Sequence, residues 1–185
     1  ITFVRGFAHF TDAKTIAVGD ETYTADNIII ATGSSSKCPP IEGLTLPGVV
    51  DSTQLLDIDH TPENLCIIGA GVIGMEFASI FNSFGSKVTV IEFMKECLPV
   101  LDSDIAKRLR QTIGKRGVEF TMQSAVKSIT TSTTEDGKQQ LVVNYEKKGK
   151  PQQVNADTVL IATGRKPNTD GLGLELAGIE HSTKG

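Results

Sequence analysis

Gly69-Ala70-Gly71-Val72-Ile73-Gly74 carries three glycines at the spacing of a loop that can hold a diphosphate. Bare backbone lets N–H groups close on an anion, and a helix opening at the loop adds the positive end of its dipole. In that reading Gly69 makes the tight turn, Gly71 admits the diphosphate and Gly74 lets helix and sheet pack closely. Met75 continues the loop into the helix. Glu92 lies 21 positions beyond Gly71, at the end of what reads as the next strand. A carboxylate there accepts hydrogen bonds from ribose hydroxyls and repels a 2′-phosphate, which points to NAD over NADP. Lys95, three residues on, leaves the phosphorylated form open. Glu76 reads as a first-turn glutamate, favoured there by the dipole and also placed beside a bound dinucleotide. The alternative is a glycine turn that binds nothing and a solvated acid at a strand end.

These residues need a particular scaffold. Leu65–Ile68 reads as a buried strand, and Ile73, Phe77, Ile80, Phe81 and Phe84 recur on one helical face that Gly85 can cap. Val88–Ile91 forms a second strand. Asp102 can cap a second helix with Ile105, Leu109 and Ile113 as its apolar face and Lys115 and Arg116 in its last turn. Val118–Phe120 begins a third strand. The spacing therefore predicts an α/β, Rossmann-like, three-layer domain with a central parallel sheet, completed by an antiparallel β-meander.

A repeat organises the rest. Residues 25–33 and 156–164 agree at six of nine positions, each ending Ile-Ala-Thr-Gly after a meander of alternating polar and apolar residues. Both apolar runs, Ile28–Ala31 and Val159–Ala162, read as strands buried on two faces. The first copy lacks a β-α-β unit ahead of it, so the chain is expected to hold the tail of one dinucleotide domain (1–36), a linker with a short helix (37–62), a second such domain (63–164) and a return segment (165–185).

Composition narrows the function. A net charge of −4 in 185 residues argues against nucleic-acid binding, and no apolar run is long enough to span a bilayer. With 39% hydrophobic and 22% charged residues the chain can fill a core. Cys38, Cys66 and Cys97 fit neither a disulfide framework nor a metal site, and His9, His60 and His181 show no ligand spacing; no metal is expected, and a reducing, cytoplasmic compartment is. Cys66 reads as a buried core thiol, and Lys147–Lys150 as a solvated meander turn. The absence of an initiating Met and of an obvious end reads as a piece of a longer protein.

Taken together, Gly69–Glu76, Val90-Ile91-Glu92, Ala31-Thr32-Gly33-Ser34 and Ala162-Thr163-Gly164-Arg165-Lys166-Pro167-Asn168 resemble the pyridine nucleotide-disulfide oxidoreductases, flavoproteins with two dinucleotide domains. The resemblance covers nearly the whole chain and implies the FAD/NAD(P)-binding domain fold. It implies that Gly69–Glu76 and Glu92 bind NAD, with Val126 and Gly164 in the same cleft and Glu76 near the nicotinamide. It also implies that Gly6, Thr32, Gly33 and Ser34 touch FAD in the intact protein. The parent would be a homodimer exchanging hydride between NAD(H) and FAD, and electrons with a dithiol or disulfide substrate. The family's CxxxxC pair, first glycine loop and C-terminal His-Glu pair are absent from these residues, so the chain alone is expected to bind NAD weakly and catalyse nothing. An NADPH-dependent reductase, an NADH oxidase, a mercuric reductase and a non-catalytic nucleotide sensor remain alternatives. The duplicated strand and the meander argue against an S-adenosylmethionine methyltransferase.

Overall fold

The computed structural model describes residues 1–182; Thr183, Lys184 and Gly185, the end of the expected return segment, lie outside the described residues. Two compact units divide the chain, Ile1–Ser35 with the described part of Arg165–Gly185, and Ser36–Gly164.

The first unit is built on an antiparallel meander of β1 (Ala8–Asp12), β2 (Thr15–Val18) and β3 (Glu21–Thr24). The Asp12 carboxylate accepts the Lys14 N–H at 2.8 Å and so closes the first turn. Phe10, Ala17 and Leu174 are its buried apolar residues, and the Phe10 N–H donates to the Leu172 carbonyl at 2.7 Å. The run Ile28–Ala31, expected as a buried strand, is not one: it pairs with no other strand among the described residues, and Ile29 is 91% exposed. β-Branched residues supply only a preference for a half-buried pleated surface, and no neighbouring strand among the described residues offers that surface here. β4 (Ser34–Ser36) follows.

The second unit runs β5 (Val49–Val50), α1 (Ser52–Leu56), β6 (Asn64–Ile68), α2 (Val72–Ser83), β7 (Lys87–Ile91), α3 (Ser103–Gly114), β8 (Glu119–Thr121), β9 (Ser124–Thr133), β10 (Gln139–Lys147), β11 (Lys150–Ala156) and β12 (Thr158–Ile161). β13 (Arg165–Pro167) then returns to pair with β4. A five-stranded parallel sheet of order β5-β12-β6-β7-β8 forms the middle layer. Successive residues point to opposite faces. Leu65, Ile67, Val88, Val90 and Leu160 pack with α2 and α3, whereas Cys66, Ile68, Ile91, Val159 and Ile161 pack with the β9–β11 meander. The three-layer reading of the sequence is what the structure shows. Each fully buried Leu, Ile or Val contributes roughly 1.5–3 kcal/mol, so the parallel sheet, apolar on both faces, carries the unit.

Residues 37–62, read as a linker, are built into this unit. β5 extends the parallel sheet, Leu55 of α1 is buried in the helix-side core, and the Glu42 carbonyl accepts the Ile129 N–H at 2.8 Å. Asp51 and Gln54 form a reciprocal capping box that starts α1. Proline and glycine signalled irregular backbone here, but not that it would be tied down.

The helices depart from the expected faces in an instructive way. α2 buries Gly74, Met75, Phe77, Ala78 and Phe81, leaving Ile80 and Phe84 exposed. Small residues bring it close to the sheet and rotate the larger ones outward. Its end is a Schellman cap: the Ser86 N–H bonds the Phe81 carbonyl and the Gly85 N–H the Asn82 carbonyl, with Gly85 at φ +98°. α3 buries Ala106 and Ile113, while Ile105 and Leu109 face outward. Asp102 occupies its N-cap position without a side-chain cap bond, and Lys115 is its C-cap rather than part of its last turn.

Candidate functional site

Strand order reverses between β6 and β12, and at their carboxyl ends a cleft of about 780 Å³ opens. In an open parallel sheet this is where ligands bind, because the loops on either side diverge. Of the residues singled out in the sequence, Gly69, Gly71, Val72, Ile73, Glu92, Val126 and Gly164 line it. Ala70, Gly74 and Met75 lie buried beneath it and hold the loop in shape.

The three glycines have different reasons to be glycine. Gly69 has φ +109°, and a Cβ there would sit 2.5 Å from the Ala162 carbonyl oxygen on β12's continuation. A Cβ on Gly74 would lie 2.0 Å from the Gly69 oxygen, so α2 could not cross the turn. Gly71 is unlike both. Its φ is −74°, and a Cβ would meet nothing within 4 Å. The protein's own packing does not require this residue to be bare. It is also the N-cap of α2 and offers no side-chain cap, so the first-turn N–H groups are left for another acceptor. A cradle that a side chain would fill, at an uncapped helix N-terminus, suits a phosphate anion.

Glu92 is fixed rather than free. Its Oε2 accepts the Ala70 N–H at 2.6 Å, and its Oε1 accepts the Met94 N–H at 2.7 Å. The carboxylate thus ties the end of β7 to the glycine loop, and each oxygen keeps a lone pair for a further donor. The loop that follows is pinned as well. The Leu98 N–H, on a residue held at φ +49°, donates to the Ala70 carbonyl at 2.9 Å, and the Gln123 N–H donates to the Met94 carbonyl at 3.1 Å. Between these anchors stand Phe93, 72% exposed, and Met94, both on the cleft wall. Cys97 is buried, and its Sγ–H donates to the Ala106 carbonyl; burial pushes its thiol up to about 11. Burial alone pushes the Cys66 thiol up to about 12, which fits an inert core residue.

Sequence reasoning missed several walls. Pro39, Pro40 and Ile41 fell in the supposed linker, while Phe93, Met94, Ser124 and Ala125 carry no motif of their own. Phe93 and Met94 had one available signal, their place directly after Glu92. Glu76 is placed elsewhere: it is the fifth residue of α2, beyond the first turn, exposed and outside the cleft lining. Lys95 lines a different cleft, on the far side of its loop.

In the first unit, Thr32, Gly33 and Ser34 meet the return of the chain. The Thr32 hydroxyl donates to the Asn168 carbonyl at 2.7 Å, the Asn168 N–H to the Gly33 carbonyl at 3.0 Å, and the Arg165 Nε–H to the Ser34 hydroxyl at 2.7 Å. Gly6 is bare for a local reason, since a Cβ would strike Val18 at 2.5 Å. His9 and His181 are exposed, and His60 pairs with Asp59 on the surface.

A glycine turn on a parallel sheet, a pinned strand-end glutamate and a meander cover together make up a fold of the FAD/NAD(P)-binding type. The family model described as pyridine nucleotide-disulphide oxidoreductase matches residues 1–185, and the chain belongs to that family. It is 37% identical over 195 aligned positions to dihydrolipoamide dehydrogenase of Chaetomium thermophilum, covering all of this chain and 37% of that protein. It is 38% identical to dihydrolipoyl dehydrogenase of Geobacillus stearothermophilus, covering all of this chain and 39% of that one. Among solved structures, the HOCl-induced flavoprotein disulfide reductase RclA from Escherichia coli superposes with a TM-score of 0.81 at 38% identity, over 98% of this chain and 40% of that one. The chain therefore spans about two fifths of the length of these relatives.

Proposed function

We propose that the second unit is the NAD(H)-binding domain of a dihydrolipoamide dehydrogenase-type flavoprotein, and that residues 1–36 and 165–185 belong to its FAD-binding domain. The observation that carries the reading is Gly71, bare where its own protein leaves room for a side chain. A diphosphate over that residue accepts the free N–H groups of α2. The remaining oxygen capacity of Glu92 takes the adenosine ribose hydroxyls, and Phe93 and Met94 flank the base. The nicotinamide half then runs toward Val126 and Gly164. Among the described residues no lysine or arginine lines this cleft, and Lys95 lines another one, which favours NAD over NADP.

In the parent protein, the bound nicotinamide supplies hydride exchange with FAD, and the flavin exchanges electrons with a dithiol or disulfide substrate. This chain's residues bind and orient. Thr32, Gly33, Ser34 and Gly6 are assigned to the flavin side on the resemblance, through backbone atoms, since the Thr32 and Ser34 side chains are engaged locally.

The test is Gly71→Val in the 185-residue chain, read by calorimetric titration with NADH, NADPH and FAD. The extended backbone at Gly71 accepts valine, so the urea midpoint should move little while NADH affinity falls at least tenfold. The wild-type chain should bind NADH at least tenfold tighter than NADPH, and FAD more weakly still. Undiminished NADH binding by Gly71→Val would remove the diphosphate from this loop. Preferential binding of FAD by the wild type would make the cleft a flavin site.

A further inference from the structure

The loop after Glu92 has a second side. Lys95 there meets Lys107 of α3 and Lys147 and Lys148 of the β10–β11 hairpin around a cleft of about 790 Å³. Phe120 and Met122, both half-buried, lie on its wall. None of the four lysine ammonium groups has an ion-pair or hydrogen-bond partner among the described residues. Of the acids on the lining, Glu96 is committed to Arg110 through two bonds of 2.6 and 2.9 Å, which leaves Asp104 alone against four cations. A positive concentration of this kind in a chain of net charge −4 attracts anionic partners and steers their approach.

The cleft is also pre-formed. Lys148 and Gly149 have φ of +52° and +75°, the tight two-residue turn of a β-hairpin, which presents Lys147 and Lys148 from a fixed tip. The Glu96–Arg110 pair fastens the loop bearing Lys95 to α3. A bare phosphate would satisfy the lysines and leave Phe120 and Met122 uncovered. A polypeptide with carboxylates around an apolar side chain satisfies both.

We propose that this cleft, formed by the loop after β7, α3 and the β10–β11 hairpin, docks an acidic polypeptide segment carrying an apolar residue among its carboxylates. The site is separate from the nucleotide cleft and does not depend on which dinucleotide binds there.

The experiment is fluorescence anisotropy of a labelled peptide of three Glu-Glu-Leu repeats, titrated with the 185-residue chain. Binding should weaken about tenfold between 50 and 200 mM salt. It should fall at least tenfold with the Lys107→Glu/Lys148→Glu double variant and stay unchanged with Lys14→Glu in the first unit. NADH titration of the double variant should match the wild type and so report an intact fold; Lys107→Gln/Lys148→Gln replaces it if charge reversal disturbs folding. Equal peptide binding by wild type and lysine variants would overturn the proposal. So would displacement of the peptide by sodium tripolyphosphate or nona-glutamate as readily as by the unlabelled peptide. Tighter binding of a nine-nucleotide single strand would reassign the cleft to nucleic acid.

Discussion

Val159, Leu160 and Ile161 lie between β5 and β6 and are almost wholly buried; Ile28, Ile29 and Ile30, their counterparts in the other copy of the repeat, form no strand, and Ile29 stands almost fully in solvent between a half-buried Ile28 and a partly exposed Ile30. The two nonapeptides share their flanking Ala-Asp and Ile-Ala-Thr-Gly. What separates them is company. β12 has a hydrogen-bonded neighbour on each edge, α1 and α2 on one side and the meander on the other. Residues 28–31 have none of these among the described residues. A strand of this type is a property of the sheet that receives it more than of its own residues.

Charge insertion gives the largest contrast between the copies. Val159→Asp buries an unpaired carboxylate between two cores and should destabilise the second unit by about 4 kcal/mol or more, enough to unfold it. Ile29→Asp should change stability by no more than about 0.5 kcal/mol. Urea titration followed by circular dichroism reads both, and a large effect at Ile29 would mean the copies are not so different in this chain.

The glycines sharpen the same comparison at a smaller scale. Gly69→Ala adds a left-handed penalty to a clash with the β12 continuation and should cost about 3 kcal/mol, together with NADH binding. Gly33→Ala meets nothing within 4 Å, so only the backbone penalty of about 1 kcal/mol remains. The urea midpoints of the two variants give the difference directly.

Acid should separate the units by the smallest margin. The Arg110 guanidinium holds the Glu96 carboxyl at about 2, well below its ordinary 4.5. A depressed carboxyl contributes stability that is complete above pH 4.5 and is lost as pH falls toward 2. For this partly buried pair we expect about 1–2 kcal/mol, missing from Glu96→Gln at pH 7 and absent from both proteins near pH 2. The Lys14–Asp26 pair of the first unit is solvent-exposed on both sides, and Asp26→Asn should leave the urea midpoint where it was.

Much of the second unit was legible because its signals are local and redundant. A buried strand, three glycines, a capped helix and a second strand ending in Glu92 all demand one another. The parallel sheet, the three layers and the core of the cleft followed. Three things were less visible. The orientation of α2 depends on Gly74 and Ala78 fitting against the sheet, a matter of close approach that hydrophobic periodicity does not register. The walls at Pro39–Ile41 depend on a stretch whose proline and glycine content says only that it is irregular. The fixing of Glu92 by two N–H groups depends on loops meeting across 22 positions, which no spacing rule records.

Ile28-Ile29-Ile30 also governs how this polypeptide behaves in a tube. Ile29, 91% exposed beside a partly exposed Ile30 and with no charge between them, makes this a sticky tract that pairs with its copies in other molecules as concentration rises. Lysine or glutamate at Ile29 should raise the soluble yield while leaving the cleft over the glycine loop, in the other unit, chemically untouched.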